Sequence, residues 1–134
     1  MLRLEIAALY AGVNILILLV LAVLVMLGRR KHKIRLGDAG NEDFARAVRA
    51  HANAAEYIPA GLVGLLFVAL MEPATPLWLL HAAGISLTLG RISHAIGLHT
   101  GVLNAGRMLG MVLTWLSYLL LGGGLILAGF SQQL

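Results

Sequence analysis

Residues 6–27 read IAALYAGVNILILLVLAVLVML and contain no charged side chain. A transmembrane helix needs about 20 apolar residues, because each residue rises about 1.5 Å and the hydrocarbon core is about 30 Å thick. This stretch is therefore long enough to cross a bilayer. We expect it to stay as a span rather than be cleaved as a signal peptide, since its basic cluster follows the apolar core.

Further apolar stretches follow along the chain. Residues 108–134 carry no charge, and residues 73–90 contain His81 as their only ionisable side chain. The apolar run at residues 57–71 is short and reaches membrane length only if its helix begins near Asp43. We therefore predict four helices, which together form a single domain over residues 1–134. Their predicted ranges are 4–28, 43–70, 76–98 and 106–130.

The composition agrees with a membrane protein. The chain of 134 residues is 60% hydrophobic and 12% charged, whereas soluble domains are about half apolar and about a quarter charged. The absence of cysteine excludes disulfides, thiol catalysis by the chain itself and Cys-based zinc sites. Spanning helices joined by short loops pack antiparallel. The predicted fold class is thus all-α, an integral membrane four-helix antiparallel bundle.

A basic cluster after the first span predicts the orientation. Short loops rich in Lys and Arg stay in the cytoplasm. The connection at residues 71–76 has no Lys or Arg, and the one at residues 99–106 adjoins Arg107. We therefore expect both termini outside and the first and third connections inside. The cluster consists of Arg29, Arg30, Lys31, Lys33 and Arg35.

The second helix carries a polar stripe. Arg46, Arg49, Asn53 and Glu56 are spaced by three, four and three residues, so they fall within about 80° of arc at about 100° per residue. A charge near the centre of a membrane helix costs about 2.5–3.5 kcal/mol or more, which makes such residues functional candidates. The structural alternative is that the two arginines extend to the headgroups.

Helices three and four add further cations at the same depth. Arg91 and His94 are three residues apart, and opposite charges at matching depth predict an ion pair between Arg91 and Glu56. Arg107 opens helix four. Small and polar residues on its face, with the spacing Gly106-x-x-x-Gly110, are typical of close helix contact. They are Gly110, Thr114, Ser117 and Tyr118.

These positions predict a cationic cavity that opens to the cytoplasm. Several guanidinium groups around one carboxylate are unbalanced, so we expect an anionic ligand. Glu56 and Asn53 can hold an ammonium and an amide. A small zwitterionic peptide with two carboxylates matches this inventory. The cations are Arg46, Arg49, Arg91 and Arg107, with Arg30 as a weaker member.

The pattern Arg46-x-x-Arg49-x-His51-x-Asn53-x-x-Glu56-Tyr57-x-Pro59 resembles the helix-two signature of the MAPEG family, the membrane-associated proteins of eicosanoid and glutathione metabolism. The resemblance extends over the whole chain and is closest to bacterial members related to microsomal glutathione transferases. It implies a homotrimer in the bacterial inner membrane. Glutathione, as co-substrate, would bind between subunits near the cytoplasmic side. The other expected partners are the membrane lipids and a lipophilic small-molecule acceptor that the membrane delivers. No nucleic-acid partner is implied.

The resemblance also implies roles for individual residues. Arg107 is similar to the family arginine that stabilises the glutathione thiolate, and a neighbouring cation favours a thiolate. Several members carry a Tyr seven residues after the helix-three arginine, where this chain has Leu98. No metal site is implied. The expected glutathione contacts are Arg30, Arg46, Arg49, Asn53, Glu56, Tyr57, Arg91 and His94.

The expected activity is that of a glutathione-dependent transferase or peroxidase, acting on lipophilic electrophiles or hydroperoxides. A non-catalytic binding or assembly module of the same fold is an alternative, which Leu98 favours. A small transporter with Glu56 as its proton-coupled carboxylate is a further alternative, which the arginines oppose. The histidines are an unsuitable metal set within one subunit, because His81 and His94 lie near opposite ends of helix three.

Overall fold

Four α-helices account for nearly all of the described chain. The computed structural model describes residues 2–101 and 104–131, and no strand occurs in these ranges. Compared with the predicted ranges, the largest difference is that the first helix continues through residues 29–32. Basic side chains in a last turn interact favourably with the helix dipole, which accounts for this extension. The helices are α1 (Leu2–His32), α2 (Glu42–Leu70), α3 (Leu77–Thr100) and α4 (Ala105–Ser131).

Helix α3 lies at the centre of the bundle. It packs most extensively against α4 and also contacts α2 and α1, whereas α1 and α4 do not contact each other within the described ranges. Because the connections are short, consecutive helices run antiparallel. Helices α1 and α3 therefore finish at the same end of the bundle. We call this the basic end, since it contains residues 29–35 and the start of α4.

Three helices, α1, α2 and α4, are long and apolar enough to cross a membrane. Helix α3 has 24 residues and is thus about 36 Å long at 1.5 Å per residue, a length that covers the hydrocarbon core of about 30 Å. Its hydropathy is lower because it carries Arg91 and three histidines, of which His94, like Arg91, is buried among the other helices. The prediction of an all-α membrane bundle is confirmed, and the chain is an integral membrane protein.

Short polar side chains shape the connection between α1 and α2. Asn41 is the N-cap of α2, and its Oδ1 accepts a hydrogen bond from the Phe44 amide at 2.9 Å. Oδ1 of Asp38 accepts a hydrogen bond from the Gly40 amide at 3.0 Å within the same turn. Gly40 has a φ of +74°, which a residue without Cβ adopts without strain. The turn keeps the basic segment beside the start of α2.

A buried arginine joins three elements at the opposite end of the bundle. Nη2 of Arg3 donates to the Val68 carbonyl at 2.9 Å and to Thr75 Oγ1 at 2.6 Å. The Thr75 hydroxyl donates to the same carbonyl at 2.7 Å. Arg3 is 7% exposed and Thr75 is 1% exposed. This Arg3 clamp holds the start of α1 against the end of α2 and the connection that follows it.

Two glycines allow α3 and α4 to approach closely. A Cβ on Gly110 would lie 2.5 Å from the His94 amide nitrogen, and a Cβ on Gly90 would lie 2.7 Å from Thr114 Oγ1. Gly106 has more room, since the nearest atom to its added Cβ would be 3.4 Å away. The predicted close crossing is therefore present. It brings the buried part of α3 next to the first turns of α4.

Candidate functional site

A cavity at the basic end collects most of the predicted site side chains. Its volume is about 320 Å³ and it lies between α2, α3 and α4. Small-ligand pockets begin at about 300 Å³. We call it the cationic cavity. The predicted residues in its wall are Arg46, Arg49, Asn53, His94 and Arg107, and the rest of the wall is Ala45, Leu98 and Met111.

Helix α2 supplies two of the three cations in this wall. Arg46 forms an ion pair with Asp43 one turn earlier, which is the only ion pair between side chains of residues 2–101 and 104–131. Arg49 is exposed and has no hydrogen-bond or ion-pair partner in the described part of the chain. Among the residues that the structure describes, three guanidinium groups of the wall thus lie beside one exposed carboxylate. This excess of positive charge suits an anionic ligand.

Arg91 lies behind the wall and is 1% exposed. Its Nη1 donates to Asn53 Oδ1 at 2.7 Å, and its Nε donates to Thr114 Oγ1 at 3.0 Å. A longer bond of 3.4 Å joins Nη2 to the Gly110 carbonyl. The guanidinium carbon is 5.0 Å from the centroid of the Tyr57 ring, a cation–π distance. Neutral groups therefore hold this buried cation in place.

Arg91 determines how the Asn53 amide points. A guanidinium carries only donors, so the atom that faces it must be the oxygen of Asn53. The two N–H groups of the Asn53 amide remain available on the side of the cavity. Asn53 can thus donate to a carbonyl or carboxylate oxygen of a ligand.

His94 is 4% exposed and reaches the cavity from α3. Its Nδ1 is 3.2 Å from the backbone carbonyl of Arg107. Because a carbonyl only accepts, this bond places a hydrogen on Nδ1, and Nε2 of the neutral ring is then an acceptor. The two sides of the imidazole therefore differ in function: one joins α3 to α4, and the other can accept a proton or a hydrogen bond.

Asn104 positions Arg107 and was missed in the sequence analysis. Its Oδ1 accepts from the Arg107 amide at 3.0 Å, which makes it the cap of α4, and its Nδ2 donates to the Gly97 carbonyl at 2.7 Å. An Asn side chain commonly caps a helix by accepting a hydrogen bond from the backbone amide three residues later. The sequence has this spacing between Asn104 and Arg107, so the cap could have been predicted. The cap joins the end of α3 to the turn that carries Arg107.

The predicted ion pair between Arg91 and Glu56 is wrong within the subunit. Glu56 is exposed, whereas Ala54, two residues earlier, is 2% exposed. Two residues correspond to about 200° around a helix. The small residue at position 54 packs against the bundle, so Glu56 points away from α3.

Two other predicted ligand contacts lie outside the cavity wall. Arg30 is exposed near the end of α1, the helix that does not contact α4 in the described ranges. Tyr57 is half-buried and stacks against Arg91. Its carbonyl accepts a hydrogen bond from the Tyr118 hydroxyl at 2.6 Å. The Tyr118 hydroxyl is therefore engaged away from the cavity, and the side chain at the family tyrosine position is Leu98, which has no hydroxyl.

These features define an α-helical integral membrane protein with a cationic cavity at one end of its bundle. The family model of the MAPEG family matches residues 7–127. "Inner membrane protein YecN" of Escherichia coli (strain K12) is 35% identical over 116 residues, which cover 87% of this chain and 86% of the relative. The protein of the same name from Escherichia coli O6:H1 is similar to the same extent. The chain therefore belongs to the MAPEG family.

Proposed function

We propose that this chain is a glutathione-dependent membrane transferase or peroxidase that acts on lipophilic electrophiles or hydroperoxides. The observation that carries the proposal is the cationic cavity, where three arginines and Asn53 surround a space of about 320 Å³. Such a lining favours a small ligand with carboxylates. The family resemblance directs the choice among such ligands to glutathione, which has two carboxylates, an ammonium and a thiol.

Six of the side chains in the wall have a part in this proposal. Arg46 and Arg49 bind the carboxylates, and the Asn53 amide donates to an oxygen of the peptide. Arg107 lies beside the sulfur and stabilises the thiolate, because a fixed cation interacts more strongly with the anion than with the neutral thiol. Leu98 and Met111 provide an apolar wall, which suits a lipophilic acceptor.

The proposed reaction begins with attack by the thiolate on the acceptor. In transfer, a sulfur–carbon bond forms while the bond to the leaving group breaks, and the leaving group departs with the electron pair. With a hydroperoxide, sulfur attacks the terminal oxygen, the O–O bond breaks, and the alkoxide takes a proton. The sulfur now carries the terminal oxygen as a sulfenic acid. The thiol of a second glutathione attacks this sulfur, the oxygen leaves as water, and glutathione disulfide is formed. Arg107 assists both reactions at the thiolate stage.

Assembly is the second element of the proposal. A carboxylate on the outer face of a membrane helix is costly, and Glu56 is exposed without a partner in the described part of the chain. In a homotrimer, a neighbouring subunit or the ammonium of a bound glutathione offsets this charge. The same arrangement brings Arg30 and Tyr57 within reach of a ligand between subunits. Native mass spectrometry of the detergent-solubilised protein counts the subunits.

A non-catalytic binding module of the same fold is the second candidate. Leu98 in the cavity wall favours it, because a leucine offers no hydroxyl to the sulfur. This module would bind glutathione, or another anion, without turnover. A screen with lipophilic electrophiles after a positive binding experiment distinguishes the two functions.

Isothermal calorimetry with glutathione on the purified protein in detergent tests the proposal. We expect the wild type to bind and Arg49→Ala to bind about tenfold to 150-fold more weakly, because a hydrogen bond to a charged group contributes about 1.5–3 kcal/mol. Arg35→Ala removes the same charge outside the cavity and should bind like the wild type. Equal weakening by both variants would indicate unspecific attraction, and absence of binding by the wild type would remove the glutathione function.

A further inference from the structure

An apolar groove follows the face of the bundle formed by α1 and α3. Its volume is about 410 Å³, and it is bounded by residues 13–24 of α1 and 92–99 of α3. It shares no wall residue with the cationic cavity. The groove lies between two helices of membrane length, at the depth of the lipid acyl chains.

His99 is the one polar side chain in the wall of this groove. It lies at the basic end, where α3 finishes one residue later. An imidazole has at least one N–H donor in either protonation state. The groove therefore has an apolar body and a hydrogen-bond donor at the level where a helix reaches the lipid headgroups.

Lys31 extends the α1 side of the groove beyond His99. At about 100° per residue, it lies within about 20° of Val13, Val20 and Leu24 around the helix axis. Side chains on a helix lean toward its N-terminus, so the exposed ammonium group of Lys31 leans back toward the groove. A donor from α3 and a cation from α1 thus lie at the same end of one apolar channel.

We infer that this groove binds one acyl chain of an acidic phospholipid, with the lipid phosphate between His99 and Lys31. An acyl chain gains little on leaving the bilayer for a groove of similar polarity. The contacts to the headgroup therefore decide which lipid stays. Basic pockets between transmembrane helices bind anionic headgroups, and the pair at the mouth of this groove has that character.

Charge favours a lipid over a second copy of this chain in the groove. Five Lys and Arg residues lie within residues 29–35, next to the α1 side of the groove. A second copy inserted in the same membrane orientation would bring the same cations to the same level. A lipid phosphate at this level would instead lower the repulsion among them.

Native mass spectrometry of the full chain, delipidated in a non-ionic detergent and then mixed with defined lipids, tests the headgroup contact. We expect phosphatidylglycerol to be retained more strongly than phosphatidylcholine. The double variant Lys31→Gln/His99→Leu, which removes both the cation and the donor, should lose at least about fivefold in this preference, since a cation near the headgroups contributes about fivefold. Lys33→Gln, which removes one charge from the same segment, should keep it. Equal loss in Lys33→Gln would overturn the site in favour of general attraction to the basic segment.

A second pair of variants tests the groove itself. Val20 lies in the groove wall and is 57% exposed, whereas Leu19 lies outside it and is 56% exposed. Val20→Trp should reduce retention of phosphatidylglycerol, and Leu19→Trp should leave it unchanged. Retention that is equal in the two variants would overturn the inference. So would a lower subunit count in Val20→Trp alone, because the groove would then be an interface between copies. Neither variant touches the cationic cavity, so this result is independent of whether glutathione binds.

Discussion

Neutral groups surround the guanidinium of Arg91: the oxygen of Asn53, the hydroxyl of Thr114 and the ring of Tyr57. They stabilise the cation without cancelling its charge. In a membrane-buried site of low dielectric, the field of such a charge extends to its neighbours. Arg91 therefore adds to the positive potential of the cationic cavity although it is not in the cavity wall.

At the same scale, Arg107→Ala should separate binding from rate. We expect glutathione affinity to change little and the rate of conjugation to 1-chloro-2,4-dinitrobenzene to fall by about 10²–10³, the usual effect of removing one preorganised group that stabilises a developing anion. Arg107→Lys, which keeps the charge, should retain part of the rate. Calorimetry and steady-state kinetics on the same preparations measure both quantities. A parallel loss of affinity and rate would assign Arg107 to ligand binding alone.

Much of the site could be predicted at the residue scale, because spacing on one helix shows which side chains share a face. Arg46, Arg49 and Asn53 do line one cavity with Arg107. Spacing does not show where that face points relative to other helices. Glu56 lies at the edge of the stripe and faces outward. Only the packing of the small residues Ala50 and Ala54 against the bundle shows this, and the spacing alone therefore could not exclude an ion pair between Glu56 and Arg91.

At the scale of elements, the crossing of α3 and α4 is the contact that builds the site. Gly110 lets the two backbones approach at His94, and the bond from His94 to the Arg107 carbonyl lies within this contact. The count, type and approximate limits of the helices were predictable from the apolar runs. The depth of the crossing was only suggested by glycine spacing, because such spacings occur often by chance.

Gly110→Ala should therefore be destabilising. The added Cβ would lie 2.5 Å from the His94 amide nitrogen of α3, and overpacking of this kind costs about 1–3 kcal/mol. Gly123→Ala is the matched control, because a Cβ at that position meets no atom within 4 Å and alanine is the better helix former by about 1 kcal/mol. Thermal unfolding in detergent compares the midpoints. A midpoint of Gly110→Ala at or above that of wild type would contradict the close crossing.

At the scale of the whole molecule, the distribution of basic residues relates the bundle to the membrane. The basic end carries residues 29–35 and Arg107, whereas the connection at residues 71–76 contains no Lys or Arg. We propose that the basic end faces the cytoplasm of a bacterial inner membrane, with both termini outside. The cationic cavity would then open toward the compartment that contains glutathione.

Cysteine labelling can determine this orientation cleanly, because the chain has no cysteine of its own. In intact spheroplasts, a membrane-impermeant maleimide should label Glu72→Cys. It should label Lys33→Cys only after the membrane is permeabilised. The reverse pattern would place the cavity on the outer side and would require an external source of its ligand.

The Arg3 clamp has a mechanical consequence for α1. The hydrogen bonds of the clamp are buried. The side-chain hydrogen bonds that hold the end of α1 to the following turn are exposed. They join Arg29 to the Gly37 carbonyl at 3.2 Å and His32 to Asn41 at 3.3 Å. Water competes with exposed bonds and not with buried ones. The start of α1 is thus held by bonds that water does not weaken, and its end by bonds that water does weaken. Local opening of α1 therefore begins at the basic end and not at the Arg3 clamp.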